Sequence, residues 1–220
     1  MKKLEALFGR ADKFGRVVAN RLGKIKDLSA IQGVGAGKTV LITGASSGLG
    51  AMMARKFAFL GYNLAICARR LERLEALKAE LESTFGVKVW VRQLDVSDHE
   101  AIFAVFDDFA QEAGGLDKVI VNAGVGDSRV IGHGRFHINK ATAQINFISA
   151  LAQCEAAMQI FRAQNSGHLV VISSMSAVRG LPRHLTTYAA AKAALAHLAE
   201  GIRADTIKCL LYTSPSPRDL

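Results

Sequence analysis

Residues 43–50 read Thr43-Gly44-Ala45-Ser46-Ser47-Gly48-Leu49-Gly50 and form a glycine-rich turn between two predicted elements. The β-branched run Thr39–Thr43 leads into this turn, and a segment with helical periodicity continues from it through Leu60. Glycine permits a tight turn and a close backbone approach, and the N–H groups at a helix start bind pyrophosphate. The spacing G-x-x-x-G-x-G differs from the commoner G-x-G-x-x-G, and by itself the string also fits an ordinary strand–helix turn.

Strands and helices alternate along residues 38–208. Strands separated by helices predict a parallel sheet with right-handed crossovers, which is the doubly wound, Rossmann-type α/β class with helices on both faces of the sheet. The predicted strands are Thr39–Thr43, Asn63–Ala68, Val87–Leu94, Lys118–Val121 and His168–Ile172. Five helices are predicted. The first ends near Leu60, the second spans Leu71–Thr84, and the third runs from a cap at Asp98 to Ala113. The last two cover Lys140–Ala163 and Tyr188–Ala204.

Residues 1–37 are predicted to form a basic amphipathic extension that precedes this domain. The chain has a net charge of +9, and Met1 to Lys38, with nine basic and three acidic residues, contributes +6 of it. Apolar residues recur at helical spacing from Leu4 to Ile25. Two interpretations remain open: residues 1–28 make weak contact with an anionic membrane surface, or the helix packs on the domain or on a partner subunit, which we favour.

The string Gln32-Gly33-Val34-Gly35-Ala36-Gly37-Lys38-Thr39 nearly matches the P-loop pattern G-x-x-x-x-G-K-T. Gln32 replaces the first glycine, and the string precedes a strand, whereas a P-loop follows one. We therefore predict a flexible linker at this position.

Residues 209–220, CLLYTSPSPRDL, interrupt the pattern where another buried strand is due. Proline cannot serve a central strand, because it lacks the N–H group that a ladder needs. The string Cys209–Asp219 also resembles a translated sequencing-library adaptor, so we expect a non-native tail after residue 208. On this view the natural protein is longer, the last strands of the sheet are lacking, and the fifth strand is an unpaired edge.

Composition argues against several other classes of protein. Cys67, Cys154 and Cys209 fit neither a disulfide framework nor a zinc site, which favours a reducing, cytoplasmic compartment. His133 and His137 are four residues apart without an indicated third ligand, so no metal site is predicted. No basic stripe interleaved with aromatic residues indicates nucleic-acid binding. No stretch has the length of a membrane span or the character of a secretory signal.

The end of the second predicted strand bears on the choice of dinucleotide. An acidic residue there would bind the ribose hydroxyls of NAD(H) and repel a 2′-phosphate. The sequence has Cys67-Ala68-Arg69-Arg70 instead, and guanidinium groups pair well with phosphate. NADP(H) is therefore preferred over NAD(H), with Arg69 as the favoured contact, although both arginines would also suit a solvated helix start.

Tyr188 and Lys192 lie four residues apart and share one face of the last predicted helix. A free tyrosine titrates at a pKa of about 10, too high for an efficient proton shuttle near neutral pH, and a nearby ammonium favours the phenolate. Ser174, at the end of the fifth predicted strand, could share the charge that develops on a substrate carbonyl oxygen, with Ser173 and Ser176 as alternatives. Taken alone, such a pair is more often part of an ordinary amphipathic helix surface.

The whole ordered set of motifs resembles the classical short-chain dehydrogenase/reductase family over about Lys38 to Lys208. The set comprises Thr43–Gly50, Asp95-Val96, Asn122-Ala123-Gly124, Asn146, Ser174, Tyr188 and Lys192. The resemblance implies a pyrophosphate turn lined by Gly44, Gly48 and Gly50, with Ser47 near the phosphates. It implies that Asp95 and Val96 contact the adenine ring. It further implies that Asn122 and Gly124 stabilise the sheet and pass close to the cofactor. It also implies that Tyr188 is the general acid/base, that Lys192 binds the nicotinamide ribose, that Ser174 steadies the substrate oxygen, and that Asn146 holds a water in the proton relay.

These roles imply an NADP(H)-dependent oxidoreductase that moves a hydride between nicotinamide and the carbon of a small-molecule carbonyl or secondary alcohol. The alternative is a non-catalytic NADP(H)-binding protein that regulates a partner. The resemblance further implies a homo-oligomer formed through the last two central helices. Ser174 lies fourteen residues before Tyr188, one more than is usual in the family, so we expect an extra residue in the loop Gly180–Thr187. The segment Val125–Phe136 either borders the substrate pocket or forms a surface loop.

Overall fold

The sheet is parallel throughout and has the strand order β3-β2-β1-β4-β5-β6. The computed structural model of the chain describes residues 33–206 and the short strand at residues 212–213. The predicted N-terminal amphipathic helix and most of the predicted tail therefore lie outside the described residues. The strands are β1 (Thr39–Thr43), β2 (Asn63–Ala68), β3 (Val89–Gln93), β4 (Lys118–Val121), β5 (His168–Val171) and β6 (Tyr212–Thr213).

Six α-helices accompany the strands within residues 33–206. They are α1 (Gly48–Phe59), α2 (Leu71–Phe85), α3 (His99–Ala113), α4 (Phe136–Ala143), α5 (Ser149–Gln164) and α6 (Thr186–Thr206). A π-helical turn, Gln144–Ile148, joins α4 to α5, and two 3₁₀ turns, Met175–Ala177 and Arg183–Leu185, lie between β5 and α6. None of the helices among the described residues is both long enough and apolar enough to cross a membrane.

The core lies on both faces of the sheet, because side chains alternate along each strand. On one face, Val40 and Ile42 of β1 are fully buried together with Leu74 and Leu81 of α2. On the other face, Leu41 packs in a cluster with residues of α3, α5 and α6, including Phe106, Phe161 and Leu195. Burial on both sides explains the continuous apolar runs of β1, β2 and β4, and the predicted three-layer α/β/α fold is confirmed.

The predicted strands and helices coincide closely with the observed ones. Asp98 caps α3 as expected, since its carboxylate accepts a hydrogen bond of 3.1 Å from the N–H of Ala101. The predicted helix Lys140–Ala163 begins earlier, at Phe136, and contains the π-helical turn. The predicted third strand, Val87–Leu94, is shorter because β3 pairs with β2 only over Val89–Gln93.

The predicted flexible linker at residues 32–39 is wrong for the described part, residues 33–38. These residues form consecutive hydrogen-bonded turns, in which the N–H of Gly35 donates to Leu60 O at 2.9 Å. A side chain at Gly35 would collide with the ring of Tyr62, which packs against the turn. The segment is therefore a fixed part of the domain at the end of α1, where Gly35 permits close packing and Gly33 and Gly37 adopt the positive φ that the turns require.

The prediction of an unpaired edge at β5 is also wrong for its first two residues. His168 and Leu169 pair in parallel with Tyr212 and Thr213 of β6. Tyr and Thr are good strand formers, and they precede Pro215 and Pro217, so the missing proline N–H does not affect these two residues. The rest of residues 209–220 lies outside the described part of the chain.

The strand order reverses direction between β1 and β4. From β1 the chain proceeds outward through β2 to β3, and it then returns to place β4 and β5 on the other side of β1. The loops after β1 and β4 consequently diverge above the sheet and leave a crevice at the carboxyl ends of the strands. In open α/β sheets this switch point is where ligands bind. The glycine-rich turn and the segment Asn122–Gly124 lie on its two sides.

Candidate active site

The turn after β1 requires glycine at two positions for steric reasons. Gly44 has a φ of +70°, a left-handed conformation that other residues rarely adopt, and a Cβ there would lie 3.0 Å from Ala123 Cα. A Cβ at Gly50 would lie 2.4 Å from the carbonyl oxygen of Gly44 and 2.8 Å from Asn122 Nδ2. These glycines let the turn, the start of α1 and the loop after β4 approach one another closely.

Thr43 and Asn122 join the ends of β1 and β4. The hydroxyl oxygen of Thr43, which is fully buried, accepts hydrogen bonds of 3.1 Å from the backbone N–H groups of Asn122 and Ala123. Asn122 Nδ2 donates a bond of 2.9 Å to Thr43 O. Asn122 thus links the ends of β1 and β4 through Thr43. The sequence prediction quoted Thr43 only as part of the turn and gave it no role.

Helix α1 presents its N-terminus to the crevice. Ser47 precedes the helix in an extended conformation, and its side chain does not cap α1. The first N–H groups of the helix and its positive dipole end are therefore available to an anion. Instead of capping, the hydroxyl of Ser47 accepts a hydrogen bond of 2.7 Å from Arg70 Nη2, and Ser46 Oγ accepts one of 3.0 Å from the same nitrogen.

Both predicted arginines line this crevice. Arg70 is the one that contacts the glycine-rich turn, whereas the carbonyl oxygen of Arg69 accepts a hydrogen bond of 2.9 Å from Gln93 Nε2. The sequence identified the two guanidinium groups and favoured Arg69 as the contact of a 2′-phosphate, which stays a prediction. Ser46, the partner of Arg70, was not predicted.

All nine residues predicted for cofactor binding upstream of Tyr188 line one cleft of about 340 Å³. They are Gly44, Ser47, Gly48, Gly50, Arg69, Asp95, Val96, Asn122 and Gly124. The cleft combines a helix N-terminus, two guanidinium groups and the backbone of a glycine-rich turn. This donor set fits an elongated ligand with a pyrophosphate at its centre.

Asp95 lies at the end of the cleft beyond β3. Its Oδ1 accepts hydrogen bonds of 3.0 Å from the N–H and 2.8 Å from the hydroxyl of Ser97. The backbone hydrogen bond from Ser97 is the main cause that lowers the pKa of Asp95, and the positive charge of Arg69 acts in the same direction. The carboxylate is therefore held ionised and in one orientation, while neighbouring Val96 is buried.

The side chains of Asn146 and Lys192 and the backbone of Val125 come together where β4 ends. Asn146 is fully buried in the π-helical turn, and its Oδ1 would lie 2.7 Å from a Cβ placed at Gly124. Lys192 Nζ would lie 3.6 Å from the same Cβ position. The backbone N–H and carbonyl of Val125 exchange hydrogen bonds of 3.2 and 2.8 Å with the side chain of Asn146. Gly124 thus marks the point at which the cleft meets Asn146 and Lys192.

Lys192 is almost fully buried and carries its amino group to the end of β5. Its Nζ donates a hydrogen bond of 2.8 Å to Ile172 O, and burial lowers the pKa of Lys192. The ring of Tyr188, one helical turn earlier and half-buried, has its centroid 6.0 Å from Nζ. The structure therefore brings Tyr188 and Lys192 onto the same side of α6 as predicted.

The three candidate serines after β5 have different partners. Ser173 Oγ donates a bond of 2.8 Å to the backbone oxygen of Lys192 and so ties the strand end to α6. Ser174 Oγ accepts bonds from both the N–H of Ser176, at 3.1 Å, and the hydroxyl of Ser176, at 2.9 Å. Ser176 is buried, whereas Ser174 is only half-buried. Ser173 and Ser176 each donate their hydroxyl proton to a hydrogen bond within the protein, whereas Ser174 can donate its own to another molecule.

A second cavity, of about 500 Å³, lies beside the N-terminal ends of α4 and α6. Val130, Ile131, Phe136 and Thr187 contribute to its wall, and Thr187 directly precedes Tyr188. Ile131 and Phe136 are strongly exposed. Part of the segment Val125–Phe136 thus borders a cavity beside the tyrosine, and part of it lies at the surface.

Cysteine and metal chemistry find no support in the described part of the chain. Cys67 and Cys154 are free and buried, and burial raises the pKa of each thiol to about 12, so neither forms a thiolate nucleophile at neutral pH. Among residues 33–206, no three or more histidine, cysteine or acidic side chains cluster in a way that could hold a metal ion.

Comparison with known proteins agrees with this geometry. A family model described as short chain dehydrogenase matches residues 38–209. An uncharacterized oxidoreductase of Mycobacterium tuberculosis is 50% identical over 167 residues, which cover 76% of this chain and 66% of that protein. The chain therefore spans slightly less than two thirds of the length of this relative.

Solved structures show the same fold with either cofactor. An NAD⁺-bound xylitol dehydrogenase superposes with a TM-score of 0.77 at 25% identity, covering 83% of this chain and 73% of that one. A metagenomic short-chain oxidoreductase in complex with NADP gives a TM-score of 0.76 at 26% identity, covering 82% and 81%. With its switch-point cleft, its ordered set of polar residues and a family match over most of its length, the chain belongs to the short-chain dehydrogenase family of oxidoreductases.

Proposed function

We propose that this protein is an NADP(H)-dependent oxidoreductase that interconverts a small-molecule carbonyl compound and its secondary alcohol. The observation that carries the proposal is the convergence of Lys192 Nζ and Asn146 Oδ1 on Gly124, at the inner end of the cleft, with Tyr188 one turn away on α6. A cleft that fits a dinucleotide is thus bordered at Gly124 by a buried amine, and Tyr188 lies beside that amine on α6. When bound, nicotinamide supplies the hydride chemistry, and the side chains supply binding, orientation and proton transfer.

The preference for NADP(H) over NAD(H) rests on charge. Arg69 and Arg70 line the cleft after β2, and Arg70 already donates hydrogen bonds to Ser46 and Ser47 beside the glycine-rich turn. An adenosine 2′-phosphate would pair with these guanidinium groups by charge-assisted hydrogen bonds. Asp95, the acidic residue of the cleft, follows β3 instead and is held by Ser97.

Tyr188 is assigned as the general acid/base. In the direction of reduction its hydroxyl donates a proton to the substrate oxygen, and the phenolate left behind is stabilised by the ammonium of Lys192. The hydrogen bond from Nζ to Ile172 O fixes the amine in position during this transfer. In the direction of oxidation the phenolate takes the proton from the alcohol.

Ser174 and Asn146 are assigned supporting roles. Because Ser174 Oγ accepts two hydrogen bonds from Ser176, its own proton is left for the substrate oxygen, where it steadies developing negative charge. Both N–H groups of the Asn146 side chain are used, by Val125 O and Thr142 O, but Oδ1 retains a lone pair beside Gly124. That lone pair can accept a hydrogen bond from a water molecule, and this water relays the proton toward Lys192.

The decisive experiment measures NADPH oxidation against a panel of ketones and aldehydes, with Tyr188→Phe as the matched control. Wild type should turn over at least one class of carbonyl compound, and Tyr188→Phe should lose about 10²- to 10⁴-fold in kcat while its Kd for NADPH stays unchanged. Equal rates in the two proteins would contradict the assignment. NADPH binding without turnover across the panel would favour the alternative of a non-catalytic NADP(H)-binding regulatory protein.

The same proposal includes assembly and location. Apolar side chains of α5 and α6, among them Leu151, Met158 and Leu198, line a groove of about 250 Å³, and of these Leu151 is exposed. Small residues on the accessible part of α6, such as Ala190 and Ala193, allow another helix to approach closely. We therefore expect a homo-oligomer, which light scattering after gel filtration would detect, and a cytoplasmic location, which cell fractionation would test.

A further inference from the structure

Residues 125–130, which we name the brace, run in an irregular extended conformation from Gly124 toward α4. Asn139 and Thr142 of α4 and Asn146 of the π-helical turn lie on one face of this helical stretch, three and four residues apart. All three are buried. Their side chains face the brace at three alternate residues, Val125, Asp127 and Arg129.

Each contact is a hydrogen bond to the backbone of the brace. Asn139 Oδ1 accepts a bond of 2.7 Å from the N–H of Arg129, and its Nδ2 donates one of 3.1 Å to Arg129 O. Thr142 Oγ1 donates to Asp127 O. Asn146 forms with Val125 the same reciprocal pair that Asn139 forms with Arg129. Side-chain amide and hydroxyl groups of the helix thus bind alternate residues of the brace, as the backbone of a neighbouring strand would, although the brace belongs to no sheet.

The opposite side of the brace contacts the loop before the catalytic helix. Ser128 is 1% exposed, and its hydroxyl donates to the carbonyl oxygen of His184. His184 lies four residues before Tyr188, in the segment that leads from the end of β5 to α6. One end of the brace therefore adjoins Gly124 and Lys192, and its middle holds the loop from which α6 begins.

We propose that the brace fixes the position of Tyr188 relative to Lys192 and the inner end of the cleft, and that Asn139, Thr142 and Ser128 are the positioning residues that hold it. None of the three lines the cleft, so each acts through the backbone that it binds. Buried polar side chains are retained here although apolar ones of similar size would pack without the need for partners. We attribute the presence of these polar side chains to their hydrogen bonds with the brace, which fix its position. The catalytic part of this inference rests on the proposed function.

The test compares Thr142→Val, which removes the hydroxyl at nearly constant volume, with Thr142→Ser, which keeps it. Ser128→Ala removes the contact to His184, and His137→Ala changes an exposed residue of the same helix as a control. Two readouts are measured: hydrogen exchange of peptides that cover residues 125–130 and 180–187, and steady-state reduction of a carbonyl substrate with NADPH.

In Thr142→Val and Ser128→Ala, exchange in these two segments should accelerate by about tenfold or more, while the strands keep their protection. In the same variants kcat should fall by about 10- to 100-fold, since small misplacements of a catalytic group are costly, and the Kd for NADPH should not change. Thr142→Ser and His137→Ala should behave like wild type in both readouts.

Either of two results would overturn the inference. The first is unchanged exchange in Thr142→Val and Ser128→Ala, which would show that these hydrogen bonds do not hold the brace. The second is a kcat of Thr142→Ser as low as that of Thr142→Val, which would show that the hydroxyl is not responsible. If wild type reduced no carbonyl compound, the proposed function would fail by itself, and hydrogen exchange would still decide whether the brace depends on these residues.

Discussion

The Nζ atom of Lys192 donates a hydrogen bond of 2.8 Å to the carbonyl oxygen of Ile172, the first residue after β5. A second bond runs in the opposite direction, from the hydroxyl of Ser173 to the backbone oxygen of Lys192, also at 2.8 Å. Together they fix α6 against the end of β5. The position of Tyr188 relative to Ser174 therefore depends on two contacts at Lys192.

Replacing Lys192 by Met should remove activity and change how stability depends on pH. We expect kcat to fall by about 10²-fold or more, because the ammonium that stabilises the phenolate is lost. Stability should depend on pH in a defined direction. Burial lowers the pKa of Lys192, so between the lowered value and 10.5 the unfolded chain binds more protons than the folded one. The stability of wild type consequently rises across this window as pH increases.

Urea unfolding at pH 7 and at two alkaline pH values, for wild type and Lys192→Met, measures this effect. The free energy of unfolding of wild type should rise relative to that of the variant as pH approaches 10.5, since other groups titrate equally in both proteins. A constant difference between the two proteins across the range would contradict a desolvated ammonium at this position.

Replacing Thr43 by Val should destabilise the junction between β1 and β4. The substitution keeps the shape of the side chain but removes the oxygen that accepts bonds from the N–H groups of Asn122 and Ala123. Two buried donors are then left without their partner, at a cost of about 2–4 kcal/mol in the free energy of unfolding. Urea denaturation checks the value. Thr43→Ser retains the hydroxyl and should lose much less, and equal losses in the two variants would argue against the hydrogen bonds.

Substituting Ala for Gly50 should damage both folding and cofactor binding. The new Cβ would lie 2.4 Å from Gly44 O, so the turn and the start of α1 must separate, at a cost of about 1–3 kcal/mol in stability. Titration with NADPH should show at least a tenfold weaker Kd. Gly201→Ala is the matched control, because nothing lies within 4 Å of its Cβ position in α6, and it should raise stability by about 0.5–1 kcal/mol.

Charge reversal at the two arginines separates their contributions to cofactor choice. Arg69→Glu should reverse the preference for NADP(H) over NAD(H), because a carboxylate repels the 2′-phosphate and accepts bonds from ribose hydroxyls. Arg70→Glu should also weaken NADP(H) binding, through loss of the contacts to Ser46 and Ser47. The ratio of kcat/KM for the two cofactors is measured. Arg73→Glu makes the same charge change at an exposed position of α2 and should leave the ratio unaltered.

The order and type of the central elements followed from the sequence because local composition dictates them. The runs Thr39–Thr43, Asn63–Ala68 and Lys118–Val121 are apolar over nearly their whole length, which only strands covered on both faces require, and their observed bounds coincide with the predicted ones. β3, which lies at the sheet edge and is partly exposed, follows a weaker pattern, and its predicted bounds were too wide. The turn at residues 33–38 was mistaken for a linker because its packing partner, Tyr62, lies more than twenty residues away.

The sequence by itself determined which residue types stand at the ends of the strands, since the glycine-rich turn, Asn122 and Ser174 each follow a predicted strand. Only the tertiary structure decided the directions of the side chains. It showed that Arg70 contacts Ser46 and Ser47, that Ser173 binds α6 while Ser174 accepts hydrogen bonds from Ser176, and that Asn139 and Thr142 bind the brace. The physical reason is that strand and helix periodicity are local properties, whereas a hydrogen bond between a side chain and a distant backbone exists only after the chain has folded.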